Sequence, residues 1–268
     1  ADNLALRGSV AKLGVQNIIS SAIEHHAVLH TVEELHHQQH IGLDFVQLDE
    51  KGHVNMAHLS QLLQERPHAL VSLMHANNEI GNMIDIQAVG EMVHNANGIF
   101  HCDTVQTMGH FPFDLSQGHI DFLAGAGHKF NGPKGIGFIY INKKNRIVPQ
   151  ITGGAQEREM RGGTENVIGI VGLAKALEIA YRDIDAKKQH ITHLKTSMME
   201  MLRQQIPGVQ FLSSENPLGS FINSDVSITY GLKSGSFGVL GVADQYFNIK
   251  EKVRFDDGRR LNLLDQDD

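Results

Sequence analysis

Ala126-Gly127-His128-Lys129-Phe130-Asn131-Gly132-Pro133-Lys134-Gly135 is followed at once by Ile136-Gly137-Phe138-Ile139-Tyr140-Ile141. The second run is apolar throughout and predicts a buried strand. Ile120-Asp121-Phe122-Leu123-Ala124 predicts another strand just upstream. Lys129 therefore stands where a strand enters a turn rich in glycine and proline. A lysine in such a turn can be held against a bound aldehyde. If the pocket strips its water, the ammonium loses its proton and the amine becomes nucleophilic. On these residues alone, Lys129 and Lys134 also read simply as two solvated loop lysines. Their companions elsewhere in the chain decide.

Working outward, apolar runs alternate with helical patterns. Val15–Ser20 reads as a short buried strand, and Glu24-His25-His26-Ala27-Val28-Leu29 as a helix start. Ile41–Leu48 reads as a strand, closed by a turn at Asp49–Gly52. Asn55–Glu65 has helical spacing through Met56, Leu59, Leu62 and Leu63, and Pro67 ends it. His68–His75 and Gly98–Asp103 read as buried strands, with a helix over Ile86–Asn95 between them. From Asn166 to Gln205 the pattern is one long helix or a broken pair. Beyond it, Val209–Leu212 and Asp225–Tyr230 read as strands, Gly231–Ser236 as a loop, and Leu261–Asp268 as a frayed acidic tail. Strands that are apolar along their whole length and alternate with helices imply a mostly parallel sheet covered on both faces. Ligands bind such sheets beyond the carboxyl ends of the strands. Asn78, Asp103, Gln106 and Lys129 all fall at or just after such ends.

Composition narrows the class. The chain has 268 residues, 41% of them hydrophobic and 20% charged, which predicts a globular protein with a sizeable core. A net charge of −7 excludes a general nucleic-acid binder, which needs a basic surplus to neutralise phosphates. No apolar run approaches the ~20 residues of a membrane span, and no secretory signal pattern is present. The single cysteine, Cys102, permits no internal disulfide and suits a reducing cytoplasm. Seventeen histidines raise the thought of a metal. No second cysteine completes a zinc set and no His-Glu-x-x-His pattern occurs, so scattered surface histidines are expected and no metal site.

The residues at the strand ends suit pyridoxal phosphate (PLP). That cofactor needs a lysine to hold its aldehyde, an acid to keep its ring nitrogen protonated, a flat group against the ring, and donors for its oxygens. Lys129 could be the lysine and Asp103 the acid, because a buried carboxylate needs a cation and the ring nitrogen supplies one. Gln106 and Asn78 could donate to the ring oxygen, and His25 could stack. Each taken singly is equally an ordinary turn or surface residue.

Five strings carry a resemblance. They are Glu24–Leu29, Met74–Gly81, His101–Gln106, Gly127–Lys129 with Gly132–Gly135, and Gln156–Arg158 with Arg161–Asn166. In this order and spacing they resemble the cysteine desulfurases, NifS-like members of the class V aminotransferase group of PLP enzymes. The match runs from residue 1 to about residue 185.

The resemblance implies an aspartate aminotransferase-like α/β fold: a large PLP-binding domain over residues 1–165, a connecting helix over 166–205, and a partial small α+β domain over 206–268. It implies conversion of L-cysteine to L-alanine, the sulfur leaving as an enzyme persulfide for iron–sulfur assembly or another acceptor. Lys129 matches the lysine that binds PLP covalently as an aldimine, and His25 the stacking histidine that shuttles protons. Asp103 matches the ring-nitrogen acid, Gln106 the ring-oxygen donor, His128 a phosphate ligand, and Asn78 a residue near cofactor and substrate. Thr164 matches a threonine that reaches the phosphate of the partner subunit, implying a homodimer with shared active sites. Arg259 resembles the arginine that takes the substrate carboxylate, a bidentate contact.

The sequence departs from the family in four ways. The family's glycine-threonine-glutamate phosphate loop would precede Ala1, so an amino-terminal part is expected to be missing. Ala126 replaces a serine phosphate ligand. Gly231–Leu240, which matches the loop that bears the catalytic cysteine, has none. Residues 213–268 fit poorly and look shortened. Cys102 matches a strand position beside Asp103 and is expected to be a buried structural thiol. A related PLP lyase or aminotransferase that needs no loop cysteine, and a cofactor-free pseudoenzyme that dimerises or binds a partner, are the alternatives.

Overall fold

Strand residues of opposite parity enter two different cores. In β1 (Asn17–Ser20) Ile18 joins Leu6, Val28, Val32 and Leu35, whereas Ile19 joins Leu59, Val71, Val89 and Phe100. In β3 (Leu70–Ser72) Leu70 enters the first core and Val71 the second. In β4 (Ile99–Asp103) Phe100 and Cys102 enter the second core. The pleat turns successive side chains to opposite faces, so a strand apolar on both parities must be covered on both sides.

The computed structural model describes residues 1–205, 209–211, 226–232, 235–241, 253–254 and 260–261. Its six-stranded sheet has the order β2-β1-β3-β4-β5-β6, where β2 is Gly42–Phe45, β5 Phe122–Ala126 and β6 Gly137–Ile141. The first five strands run parallel and β6 pairs antiparallel with β5. The expected α/β fold with a mostly parallel sheet is the one observed.

Helices α1 (Asp2–Lys12) and α2 (His26–Gln39) cover one face, and α3 (Met56–Glu65), α4 (Ile86–Asn95) and α5 (Val167–Arg182) the other. Four of them start on side-chain caps, α2 on His25 and the other three on Asn or Asp. Asn55 accepts from His58 N, Asp85 from Ala88 N and Asn166 from Gly169 N, each worth about 1 kcal/mol. The helix after β1 and the helix after β3 lie on opposite faces although the two strands are neighbours. The chain therefore reverses its direction of winding between β1 and β3, and a crevice opens there at the carboxyl edge.

By its internal contacts the chain divides into two compact units, residues 1–77 with 84–184, and residues 78–83 with 185–268. The sheet and α1–α5 make the first. The second contains α6 (Ile184–Gln205, all but its first residue), an antiparallel sheet of β7 (Gln210–Phe211), β8 (Val226–Leu232) and β9 (Gly235–Gly241), and the pair β10 (Val253–Arg254) and β11 (Arg260–Leu261). The helical pattern over 166–205 is thus a broken pair, α5 and α6.

Two sequence readings are corrected. Gly231–Ser236 is not one loop: Gly231 and Leu232 end β8, Gly235 and Ser236 begin β9, and Gly231 pairs with Ser236. Cross-strand pairing makes strand from a glycine- and serine-rich segment whose composition reads as loop. The strand expected over Ile41–Leu48 stops at Phe45, and Leu48 makes an isolated bridge to Val54.

Candidate active site

The site is built at the carboxyl edge of the sheet. Asp103 is the last residue of β4 and pairs in parallel register with Ala124 of β5. Two residues beyond Ala124 that strand ends, and a 3-10 turn, Gly127–Phe130, carries His128 and Lys129. The turn is held from three sides. Gly127 N donates to Ile136 O at 3.0 Å, Gly132 N to Gly127 O at 2.8 Å, and His110 Nε2 lies 3.2 Å from Lys129 O. Gly132 is required by a close approach, since a Cβ there would stand 2.8 Å from Gly127 O. Gly109 combines a φ of +82° with a Cβ position 2.6 Å from Phe130 Cβ, so only glycine lets that turn lie against the Lys129 segment. The Lys129 and His128 side chains are exposed.

Asp103 is the opposite case, 4% exposed. Burial, with the negative charge of Asp2 nearby, pushes its carboxyl up to about 6 against the donation from Val105 N at 2.9 Å. No lysine or arginine pairs with it among the described residues. His101 shares its strand face two residues earlier. That imidazole is fully buried, with Nδ1 2.8 Å from Ser72 Oγ and Nε2 3.4 Å from Asp2 Oδ1. A protonated ring nitrogen set against Asp103 would supply the missing cation. A buried acid short of a cation, an exposed lysine at the next strand end and an exposed imidazole after β1 fit PLP.

His25 follows β1 and caps α2, its Nδ1 accepting from Ala27 N at 3.1 Å, and its ring is exposed. Gln106, half-buried, lies in the turn that leaves β4. The fold thus brings His25, Asp103, Gln106, His128 and Lys129 to one edge of one sheet. Thr164 is exposed in the loop before α5. Asn78 belongs to the second compact unit and donates Nδ2 to Glu79 Oε1 at 2.6 Å. Arg259 lies outside the described residues.

Cys102 is fully buried, and burial, with Asp103, Glu24 and Asp2 around it, raises its thiol well above the ordinary value. It is a core residue, as the sequence suggests. Among the described residues, no group of three or more histidine, cysteine or acidic side chains is placed to hold a metal ion, and no helix is long and apolar enough to cross a membrane.

Sequence reasoning passed over Glu24. It is 6% exposed, and its Oε1 accepts from Met74 N and from Ser21 Oγ, both at 2.9 Å. Its place beside His25 was the available signal, but a charged residue at a helix start reads as solvated.

A sheet of this order, with a lysine, an acid and an imidazole at its carboxyl edge, defines the large domain of a PLP-binding α/β transferase. A family profile described as aminotransferase class-V matches residues 1–230. The cysteine desulfurase IscS of Dictyoglomus turgidum is 34% identical over 239 residues, which cover 88% of this chain and 59% of that protein. The cysteine desulfurase IscS of Methanosarcina thermophila is 41% identical over 204 residues, covering 75% and 50%. Among solved structures, a NifS-like protein superposes with a TM-score of 0.76 at 35% identity, covering 85% of this chain and 62% of its own. A NifS-like protein from Rickettsia africae gives 0.74 at 29%, covering 85% and 60%. The chain belongs to the class V aminotransferase family, in its NifS-like cysteine desulfurase branch, a PLP-dependent group. It spans between half and three fifths of the length of these curated relatives.

Proposed function

We propose that the protein is a PLP-dependent cysteine desulfurase, converting L-cysteine to L-alanine and passing the sulfur to an acceptor for iron–sulfur or other sulfur delivery. The observation that carries this reading is Asp103: a buried carboxyl at the end of β4, raised to about 6 and without a lysine or arginine partner among the described residues, beside the strand that leads to Lys129.

Lys129 would hold the cofactor through its amine, and Asp103 would pair with the ring nitrogen. His25 would lie against the ring, Gln106 would donate to the ring oxygen, and His128 to the phosphate. Asn78 and Arg259 would take the substrate. When bound, the cofactor supplies the electron sink for chemistry at the substrate's alpha carbon. Lys129 Nζ or the His25 ring would move the proton at that carbon. A homodimer would let Thr164 reach the phosphate of the second copy's site. The exposed apolar side chains of Val167, Ile168 and Val171, directly after Thr164, support such an interface. The large domain is proposed over residues 1–165, the connection over 166–205 and the small domain over 206–268, with a cytoplasmic location suited to an unpaired thiol.

The second reading is a PLP lyase or aminotransferase, whose chemistry needs no exposed thiolate. Borohydride reduction followed by peptide mass mapping tests the cofactor assignment, and product analysis tests the chemistry. One reduced cofactor on Lys129, with alanine formed from L-cysteine and an equal amount of sulfide released when a dithiol is added as reductant, is expected. An adduct on another lysine, or none, overturns the site. Pyruvate or ammonia in place of alanine selects the second reading.

A further inference from the structure

Glu24 is a carboxyl-bearing side chain buried where the sheet changes winding direction. It lies in the turn between β1 and α2, and α2 leaves on one face of the sheet. Met74 lies just beyond β3, whose following helix α4 leaves on the other face. The two turns therefore border the crevice from opposite sides. Glu24 spans it, accepting from Met74 N at 2.9 Å with the same oxygen that Ser21 Oγ binds at 2.9 Å. A second strap runs in the opposite sense, from Asn77 Nδ2 to Ile23 O at 2.6 Å. Beneath both, Ser20 Oγ donates to Ser72 O at 3.0 Å. Two hydrogen bonds thus join one short turn to the other and a third joins the strand ends beneath them, and the residue that follows Glu24 in the chain is His25.

We infer that Glu24 is a positioning residue, a clamp that fixes the exposed His25 ring over the cofactor by tying its turn to Met74. The inference rests on the reading of His25 as the ring-stacking residue. A side chain 6% exposed and bonded to a backbone N–H 50 positions away has little freedom. The turn it belongs to inherits that restriction, which a histidine on an exposed helix cap otherwise lacks. Burial pushes the Glu24 carboxyl up to about 8, against the bonds from Met74 N and Ser21, and the nearby charges of Asp103 and Asp2 add to the rise. The clamp is thus neutral at neutral pH. It acts through the lone pairs of Oε1, and Oε2 is buried without a hydrogen-bond partner among the described residues. A glutamine keeps the same carbonyl oxygen and no charge, so it replaces the clamp; an alanine or an aspartate does not reach.

The experiment compares Glu24→Gln, Glu24→Ala and Glu24→Asp in the cofactor-loaded, full-length protein. Three quantities are read: reduced-cofactor adduct per chain, visible circular dichroism of the bound cofactor, and kcat and KM separately. For Glu24→Ala we expect a full adduct on Lys129, a reduced dichroic band, and kcat lower by about 10- to 100-fold at a KM changed less than about threefold. Glu24→Gln retains the band and kcat within about threefold. If Glu24→Ala does not fold, Glu24→Asp decides, with the same loss expected because the shorter side chain cannot bridge the crevice. An alanine or aspartate variant with unaltered band and kcat overturns the inference alone. Equal losses in the glutamine and alanine variants overturn it too, since the carboxylic acid would then matter and not the strap. A starting protein with no adduct overturns the cofactor reading and the inference with it.

Discussion

Asp103 of β4 and Ala124 of β5 stand opposite each other in parallel register, so the buried carboxyl and the turn that bears Lys129 leave the sheet side by side. The Asp103→Ala variant separates the two consequences of this pairing. Without the carboxylate the protonated ring nitrogen of the cofactor loses its anionic partner, and turnover of L-cysteine should fall roughly 100-fold or more, as for loss of a preorganised charge. The stability of the cofactor-free protein should move the other way. The folded-state carboxyl is raised from 3.8 to about 6, so the folded chain binds more protons than the unfolded chain between those values. Stability therefore falls as pH rises through that window and stays low above it. Urea unfolding at pH 7.5 should find the alanine variant no less stable than the parent. A marked loss of stability with retained turnover would mean that Asp103 serves the fold and another acid serves the ring.

Asp121 anchors the opposite edge of the same strands. It is buried just before β5 and gathers four donors: His94 Nε2 at 2.8 Å, Phe100 N at 2.9 Å, Asn145 Nδ2 at 2.8 Å and Lys144 Nζ at 3.0 Å. Burial raises its carboxyl, but these donors together outweigh that and hold it below the ordinary value. Its contribution is thus present above the unfolded value near 3.8 and is lost as pH falls through the lower folded one. Asp121→Ala leaves Phe100 N without its acceptor and should cost about 1–3 kcal/mol in urea unfolding at pH 7. Cofactor dichroism should stay unchanged where the variant is folded, because the anchor lies at the amino ends of β4 and β5.

The large-domain architecture was legible in the sequence because its strands are apolar on both parities and its helices keep their period and their Asn or Asp caps. The placement of Asp103 and Lys129 at the carboxyl edge was legible for a related reason: each carries a titratable side chain at or shortly after the end of an apolar run. Glu24 and His101 were not. Both are buried ionisable groups whose partners come from afar in the chain, Met74 N for Glu24 and Asp2 for His101. A propensity or a period sees only near neighbours, so a carboxyl at a helix start reads as solvated. Gly231, Leu232, Gly235 and Ser236 were missed in the same way, since pairing between β8 and β9, not local composition, makes them strand.

Ile168 is 88% exposed at the start of α5, beside Val167 at 63% and Val171 at 62%. Three large apolar side chains on one exposed turn favour a covered state in solution. Thr164, four residues earlier, would then be brought to a second copy. Ile168→Asp should shift the protein from dimer to monomer in light scattering, and cofactor retention after dialysis should fall with it. A monomeric parent that keeps a full complement of cofactor would sink the shared-site picture.

His75 follows β3, its ring edge-on to Phe111 at 5.8 Å and to Phe113 at 5.5 Å, and its buried Nδ1 has no hydrogen-bond partner among the described residues. Burial drives its pKa down from 6.5 to about 4, and the charge of Asp85 only partly opposes the drop. Here the unfolded chain binds the proton more readily than the folded one. The stability that neutral His75 permits is full above 6.5 and is lost as pH falls toward 4. Two and a half pH units of depression correspond to about 3 kcal/mol across that window. His75→Leu keeps an apolar body between the two rings and removes the titrating nitrogen. Urea midpoints of the two proteins should therefore differ little at pH 7.5 and diverge in favour of the leucine variant as pH falls to 5. Parallel midpoints across that range would show that His75 becomes protonated in the folded protein at no cost, through a partner that takes up its proton.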